Sequence, residues 1–140
     1  MSITPENLTA PVVTLDRQPA AYAAGDTLTA SVAPPADGGS LRSIELSVAW
    51  YTVGKGDEDL HVHEFLRPTA DNRDWLSSGL SLSTRLPMSP LSYAGVIVKV
   101  CWCVRLRLFA AGGRQLLVEE PFQLGSIRSP TAGAKPEALK

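Results

Sequence analysis

The chain has 140 residues, 13 basic against 14 acidic side chains and a net charge of −1. That length supports one domain with a single core. The balanced charge argues against a dedicated nucleic-acid or anionic-membrane binder, which carries clustered basic excess. No apolar run approaches the ~20 residues a membrane-spanning helix needs. The first ten residues, MSITPENLTA, lack the basic start and apolar middle of a signal peptide. Two cysteines in such a chain read as reduced thiols. The expectation is a soluble cytoplasmic protein.

In chain order, residues 1–10 read as a flexible N-terminal arm, and Val12 to Leu15 as a short first strand. Pro19 to Asp26 turns at Gly25 and Asp26. Thr27 to Ala33 alternates Leu28, Ala30 and Val32 with Thr27, Thr29 and Ser31, and the proline- and glycine-rich stretch Pro34 to Ser40 closes that strand. Leu41 to Val53 is a long strand in which Ile44, Leu46, Val48 and Trp50 share one parity. Gly54 to Asp59 is a hairpin loop, and Leu60 to Phe65 returns, with Leu60, Val62 and Glu64 opposite His61, His63 and Phe65. Leu66 to Ser78 is a polar connection around Trp75, and Gly79 to Leu86 is a strand with Leu80, Leu82, Thr84 and Leu86 inward.

The strongest signal is Gly95 to Phe109. Val96, Val98, Val100, Trp102, Val104, Leu106 and Leu108 form an unbroken apolar parity opposite Ile97, Lys99, Cys101, Cys103, Arg105, Arg107 and Phe109. Strict period 2 over that length predicts one long strand with one face in a core, and its backbone needs partners on both sides, which places it mid-sheet. Ala110 to Gly113 is its turn. Arg114 to Leu124 is the last strand, with Pro121 marking a bulge or the point where pairing stops. Residues 126–140 read as a disordered tail. About seven short strands without a convincing helix predict an all-β, immunoglobulin-like two-sheet antiparallel sandwich over residues 11–125.

Three stretches resemble the arrestin-like domains of α-arrestins and sporulation-control proteins. Tyr22, Gly25, Asp26 and Thr27 are similar to the Y-x-x-G-[DE]-x turn before a second strand. Leu86-Pro87 followed by Ser92-Tyr93-Ala94-Gly95 and the long strand is similar to the family's LP…S[FY]xG stretch. Glu119-Glu120-Pro121-Phe122 is similar to the E-x-P-F segment ending the last strand of the N-terminal lobe. The resemblance covers roughly residues 10 to 125 and implies a single N-terminal-lobe-like sandwich acting as a non-catalytic scaffold or interaction module. Two properties of the family do not carry over. In place of consecutive phosphate-sensing lysines the first strand has Val12, Val13, Thr14, Leu15 and Asp16, with only Arg17 basic, and Pro34-Pro35 runs into Ala36-Asp37, not a PPxY motif.

Cys101 with Cys103 and His61 with His63 form two i, i+2 pairs, a plausible zinc set by ligand type. With the third strand between them, the pairs stand about 10 Å apart, too far for one ion. Cys101 and Cys103 are also too far apart along one strand to form a disulfide. H-x-H is also the pattern of cupin metal sites, but the third histidine and correctly placed glutamate are missing. Lys99, Arg105 and Arg107 form a small basic stripe that either receives an acidic group or pairs across strands with Glu45 and Glu119. Trp75 is either a lid on a sandwich edge or an anchor for a partner. No nucleophile elbow, P-loop or dinucleotide fingerprint is present. The expectation is a non-enzyme without cofactor or metal, with no nucleic-acid partner and no integral membrane association, binding a protein partner or a second copy through an exposed sheet edge. Trp75, Lys99, Arg105 and Arg107 are the candidate interaction surface. The alternatives are a structural subunit of a larger assembly and a metal-binding sandwich.

Overall fold

The computed structural model describes residues 11–35, 40–54 and 58–125. The expected arm at 1–10, the centres of the 34–40 turn and the 54–59 loop, and the tail at 126–140 lie outside the described residues. The described strands are β1 Val13–Leu15, β2 Ala21–Tyr22, β3 Thr27–Val32, β4 Leu41–Gly54, β5 Leu60–Leu66, β6 Leu80–Arg85, β7 Tyr93–Ala94, β8 Val98–Ala110 and β9 Gln115–Leu124, with one short helix, α1 Trp75–Ser78. They form the expected two-sheet sandwich. One sheet has the order β1-β3-β6; the other has the order β2-β9-β8-β4-β5, with β7 also on β8. Pairing is antiparallel except for the two-residue β2–β9 contact.

The core lies between the sheets, where alternation puts it. Leu28 and Ala30 of β3, Leu46 and Val48 of β4, Val104 and Leu106 of β8, and Leu124 of β9 are fully buried. Each large aliphatic side chain removed from water stabilises the fold by about 1.5–3 kcal/mol. An aromatic row crosses the larger sheet, with one side chain from each of β2, β9, β8, β4 and β5. Its ring centroids are spaced 5.6 Å from Tyr22 to Phe122, 5.8 Å to Trp102, 6.4 Å to Trp50 and 4.2 Å to His61. Trp102 also donates its Nε1–H to the Pro90 carbonyl, 2.8 Å away, so its buried indole leaves no donor orphaned.

Four local expectations need correction. β8 begins at Val98, three residues later than the alternation implied. Gly95 N–H donates to the Val98 carbonyl at 3.0 Å, turning the chain, and Val96 and Ile97 are 94% and 70% exposed. A Cβ on Gly95 would meet the outer end of the Tyr93 ring, so a larger residue there would require that ring to shift.

β5 does not keep strict alternation. Ala49 pairs with Val62 and Val48 with Glu64, so His63 is the extra residue of a bulge. Beyond it the faces exchange: Leu60, Val62 and Phe65 share the outer face with Tyr51, Ala49 and Ser47, while His61, Glu64 and Leu66 face inward with Trp50, Val48 and Leu46.

Pro121 neither bulges nor ends the pairing. It pairs with Cys103, and Phe122 with Trp102, before β9 takes up β2 at Gln123. β9 is still an edge at Pro121, where a missing N–H is tolerated.

Trp75 is the fourth. It is 4% exposed and part of the core, the lid of the two readings, so it offers no exposed anchor. α1 is held over β4 by Arg73, whose Nη2 and Nη1 donate to the Leu41 and Arg42 carbonyls at 2.7 and 3.1 Å.

Leu106→Ala should cost about 2–5 kcal/mol, since it opens a cavity at the centre of the core. Val96→Ala, at an exposed turn, should stay within about 0.5 kcal/mol. Urea denaturation of the two variants checks the contrast, and equal losses would place β8 wrongly.

Candidate functional site

The outer face of the six-stranded sheet carries most of the chemistry singled out in the sequence. Register sets its rows: Leu60–Tyr51–Cys101, then Val62–Ala49–Cys103–Pro121, then Phe65–Ser47–Arg105–Glu119. A cleft of about 280 Å³ is lined by Tyr51, Glu58, Asp59, Leu60, Arg105 and Glu119. The loop segment enters it because Thr52 N–H donates to the Asp59 carbonyl at 3.1 Å and Asp59 N–H to Thr52 Oγ1 at 3.3 Å, closing the β4–β5 turn. Tyr51 also lines a second cavity of about 240 Å³ that Lys99 and Cys101 reach.

The basic stripe is divided. Arg105 Nε lies 3.0 Å from Glu119 Oε2, but the angle falls short of a hydrogen bond, leaving Nε the one buried side-chain nitrogen or oxygen without a hydrogen bond among the described residues. Arg107 stands opposite Glu45 in register, yet Arg67 takes Glu45 at 2.9 Å. Arg107 instead donates to Gln115 Oε1 at 2.9 Å and stacks near Phe109. Lys99, between Val53 and Ala94 on the ladder, is exposed at the far end. The anticipated cross-strand pair with Glu119 is present, and that with Glu45 is replaced by a loop arginine. Pairs of this kind contribute about 0–1 kcal/mol.

The cysteine and histidine pairs lie on opposite faces of the sheet, which separates them more completely than strand spacing alone. Cys101 pairs with Tyr51 on the outside, whereas His61 stacks on Trp50 inside. His63 reaches the Arg85 carbonyl at 2.9 Å and Thr84 Oγ1 at 3.2 Å, and Thr84 Oγ1 donates to Glu64 at 3.4 Å. Among the described residues no group of three or more His, Cys, Asp or Glu is placed to hold a metal ion. Burial, with Glu119 adding to it, pushes the Cys103 thiol up to about 12, so it stays neutral and unreactive at neutral pH. Burial, then the neighbouring Cys101 and Cys103 thiols, also raises Tyr51.

The segments that carry the resemblance turn out to be joints. Tyr22 Oη donates to Asp16 Oδ1 at 2.6 Å, as does Thr29 N–H at 3.1 Å. Arg17 bridges to Asp26 at 2.8 Å, its guanidinium carbon 4.6 Å from the centre of the Tyr22 ring. Gly25, at φ 85°, turns the chain so that its N–H reaches the Leu86 carbonyl. Ser92 is buried and ties β7 to β9: its N–H donates to the Leu124 carbonyl at 2.8 Å, and its Oγ accepts from Leu124 N–H at 2.9 Å. In the last segment Glu119 holds Arg105, and Phe122 joins the aromatic row.

No family model matches the chain, and none of the curated proteins is significantly similar to it. Among solved structures it resembles the sporulation control protein Spo0M from Bacillus subtilis, with a TM-score of 0.55 and 14% identity over 86% of this chain. The shared feature is the two-sheet β-sandwich fold. At that identity the likeness is one of fold alone, and the chain spans 51% of the Spo0M chain. A superoxide reductase (neelaredoxin) from Ignicoccus hospitalis aligns with a TM-score of 0.44 and 11% identity, over 81% of this chain and 79% of that one.

The Tyr22 joint makes stability depend on pH at both ends. Burial pushes Asp16 up, but the bonds from Tyr22 and Thr29 outweigh it and hold its carboxyl below the usual 3.8. The Ala23 amide, then Arg17, hold Asp26 below 3.8 as well. Both carboxylates therefore contribute stability above that value and lose it as pH falls through their lower folded values. Burial and the Asp16 carboxylate push Tyr22 from 10.0 to about 12, so its contribution is present below pH 10.0 and lost on the way to about 12. Asp16→Asn should cost about 1 kcal/mol at neutral pH and flatten the acid limb. Urea midpoints measured across pH check this; a variant whose acid limb runs parallel to the parent's would contradict it.

Proposed function

We propose that this chain is a non-catalytic protein-interaction module of arrestin-like, Spo0M-type architecture, engaging a partner chain or a second copy along the edge of its six-stranded sheet. The observation that carries the reading is β5. Among the described residues it pairs only with β4, and its outer face presents Leu60, Val62 and Phe65, each about half exposed. An edge strand offers unpaired backbone N–H and C=O groups, and an added strand gains main-chain hydrogen bonds while side-chain contacts supply specificity.

The bulge at His63 and the inward carboxylate of Glu64 limit what can add there. Bulges and inward charges discourage indiscriminate edge-to-edge stacking. A partner must therefore pair on either side of the bulge and cover the three apolar side chains. Burying each contributes on the order of 1 kcal/mol, given that half is already covered.

Val62→Lys places a charge on the partner-facing side without touching the β4 ladder. The parent should retain specific proteins from its native lysate, or show concentration-dependent dimerisation by light scattering, and the variant should lose both at unchanged melting temperature. A parent that stays monomeric and captures the same background as the variant would sink the proposal.

A further inference from the structure

We propose that the tip of the β7–β8 hairpin and the apolar groove beside it form a second contact surface, on which two copies of this chain pack as a two-fold dimer. The surface lies at the far end of the larger sheet and shares no residue with the outward strip of β5.

The tip breaks a local rule. Ala94 pairs with Lys99, and Gly95 N–H donates to the Val98 carbonyl at 3.0 Å, so Val96 and Ile97 cap the hairpin. Two-residue hairpin tips are dominated by Asn, Asp and Gly, not by β-branched apolar residues. Val96 and Ile97 are 94% and 70% exposed, so packing within the chain does not compensate. Met88 at 73% and Val98 at 39% extend the exposed patch. A choice favoured neither by turn chemistry nor by the core points to a contact outside the chain.

The groove is the concave counterpart of the tip. It has a volume of about 460 Å³ and is lined by Met88, Ser89, Pro90, Leu91, Tyr93 and Val100. The outer end of the Tyr93 ring lies against Gly95, so that ring joins groove to tip. Val100, opposite Tyr93, stands three residues along the chain from Ile97, about 10 Å at the rise of a strand. A knob and a hollow side by side on one surface fit the same surface of a second copy turned about a two-fold axis. Each tip then enters the other chain's groove, the isologous arrangement of C2 dimers.

Charge and area favour that occupant. Two-fold packing sets like against like, and the tip and groove residues carry no charge. A membrane taking the tip end-on would also meet Glu58 and Asp59, which are exposed at the same end beside Thr52. Acidic side chains there oppose an anionic lipid surface. Closing two such surfaces together removes on the order of 1,000 Å² from water, where specific interfaces begin. The dimer therefore forms and dissociates with concentration.

Sedimentation velocity of the full chain over a dilution series reads this dimer. Ile97→Asp places a charge on the tip and Met88→Lys one in the groove, both at exposed positions, so the melting temperature of the dilute chain should not move. Each variant alone should weaken self-association by about tenfold or more, corresponding to ~1.4 kcal/mol. An equimolar mixture of the two should recover a heterodimer, because one tip then meets an oppositely charged groove and the other contact is native. Val62→Lys, which removes only association through β5, should leave this dimer in place. A parent that stays monomeric at every concentration overturns the proposal. So does a dimer that survives Ile97→Asp and Met88→Lys but is lost in Val62→Lys, which assigns self-association to the β5 edge. A monomer that floats with phosphatidylcholine vesicles, and ceases to in Ile97→Asp, overturns it in favour of a lipid surface.

Discussion

Trp102 is the contact on which the rest of this sandwich depends. It lies on the central strand of the larger sheet, is 1% exposed, and touches neighbours from three directions. Trp50 and Phe122 flank it along the sheet, the His63 ring meets its edge from β5, and the Pro90 carbonyl accepts its indole hydrogen. A buried Trp has to satisfy its one donor, and here the acceptor sits in the loop that connects β6 to β7. One side chain thereby fixes the lateral packing of the sheet and the path of the chain back towards it. The row of rings on either side adds about 0.5–1.5 kcal/mol per pair beyond area burial.

The two open sides of the sandwich are laced by side-chain hydrogen bonds. On one side Tyr22 and Thr29 converge on Asp16, joining β1, β2 and β3. On the other side His63 and Glu64 of β5 reach Thr84 and Arg85 of β6, across the gap between the sheets. The second lacing accounts for the bulge. Inserting His63 turns Glu64 inward to Thr84 and leaves Phe65 on the outer face beside Leu60 and Val62. The same device that closes the core on that side therefore exposes the apolar strip offered to a partner.

Much of this was legible in the sequence because β4 and β8 state their alternation over many residues. Ile44 to Trp50 and Trp102 to Leu108 lie on the faces their parity assigns, and β4 pairs with β8 along its length. What escaped was decided by contacts with distant residues. The parity of β5 breaks at one residue, and nothing local distinguishes His63 as the extra one; the signal is the partner it finds in β6. Trp75 stood among polar neighbours, and its burial depends on Arg73 reaching carbonyls of β4 from far along the chain. The Tyr51–Arg105 cleft joins residues from β4, β5, β8 and β9 with a loop. Of these, Arg105 and Glu119 were foreseen as a pair. Tyr51, Glu58 and Asp59 gave no signal, because only the register of β4 against β5 and β8 brings them to the same place.

The unequal lengths of the two layers leave the far end of the larger sheet uncovered on its inner face. β4 and β8 run for 14 and 13 residues, whereas β3 and β6 run for six each. The shorter sheet can cover only part of the longer one. Burial follows that limit: Ile44 to Ala49 and Trp102 to Val104 are enclosed or nearly so, while Trp50 to Val53 and Val98 to Cys101 are partly or fully open. Beyond Trp50, which still packs against the core, that stretch of β4 and β8 is held by strand pairing and by β7. Tyr51 belongs to that stretch, and both outer-face cavities meet at it. Arg105 lies on the covered stretch, with Leu106 packed beneath it in the core. The cleft thus spans the boundary between the two regimes, taking the Glu119-paired guanidinium of Arg105 from the enclosed stretch and the Tyr51 ring from the open one.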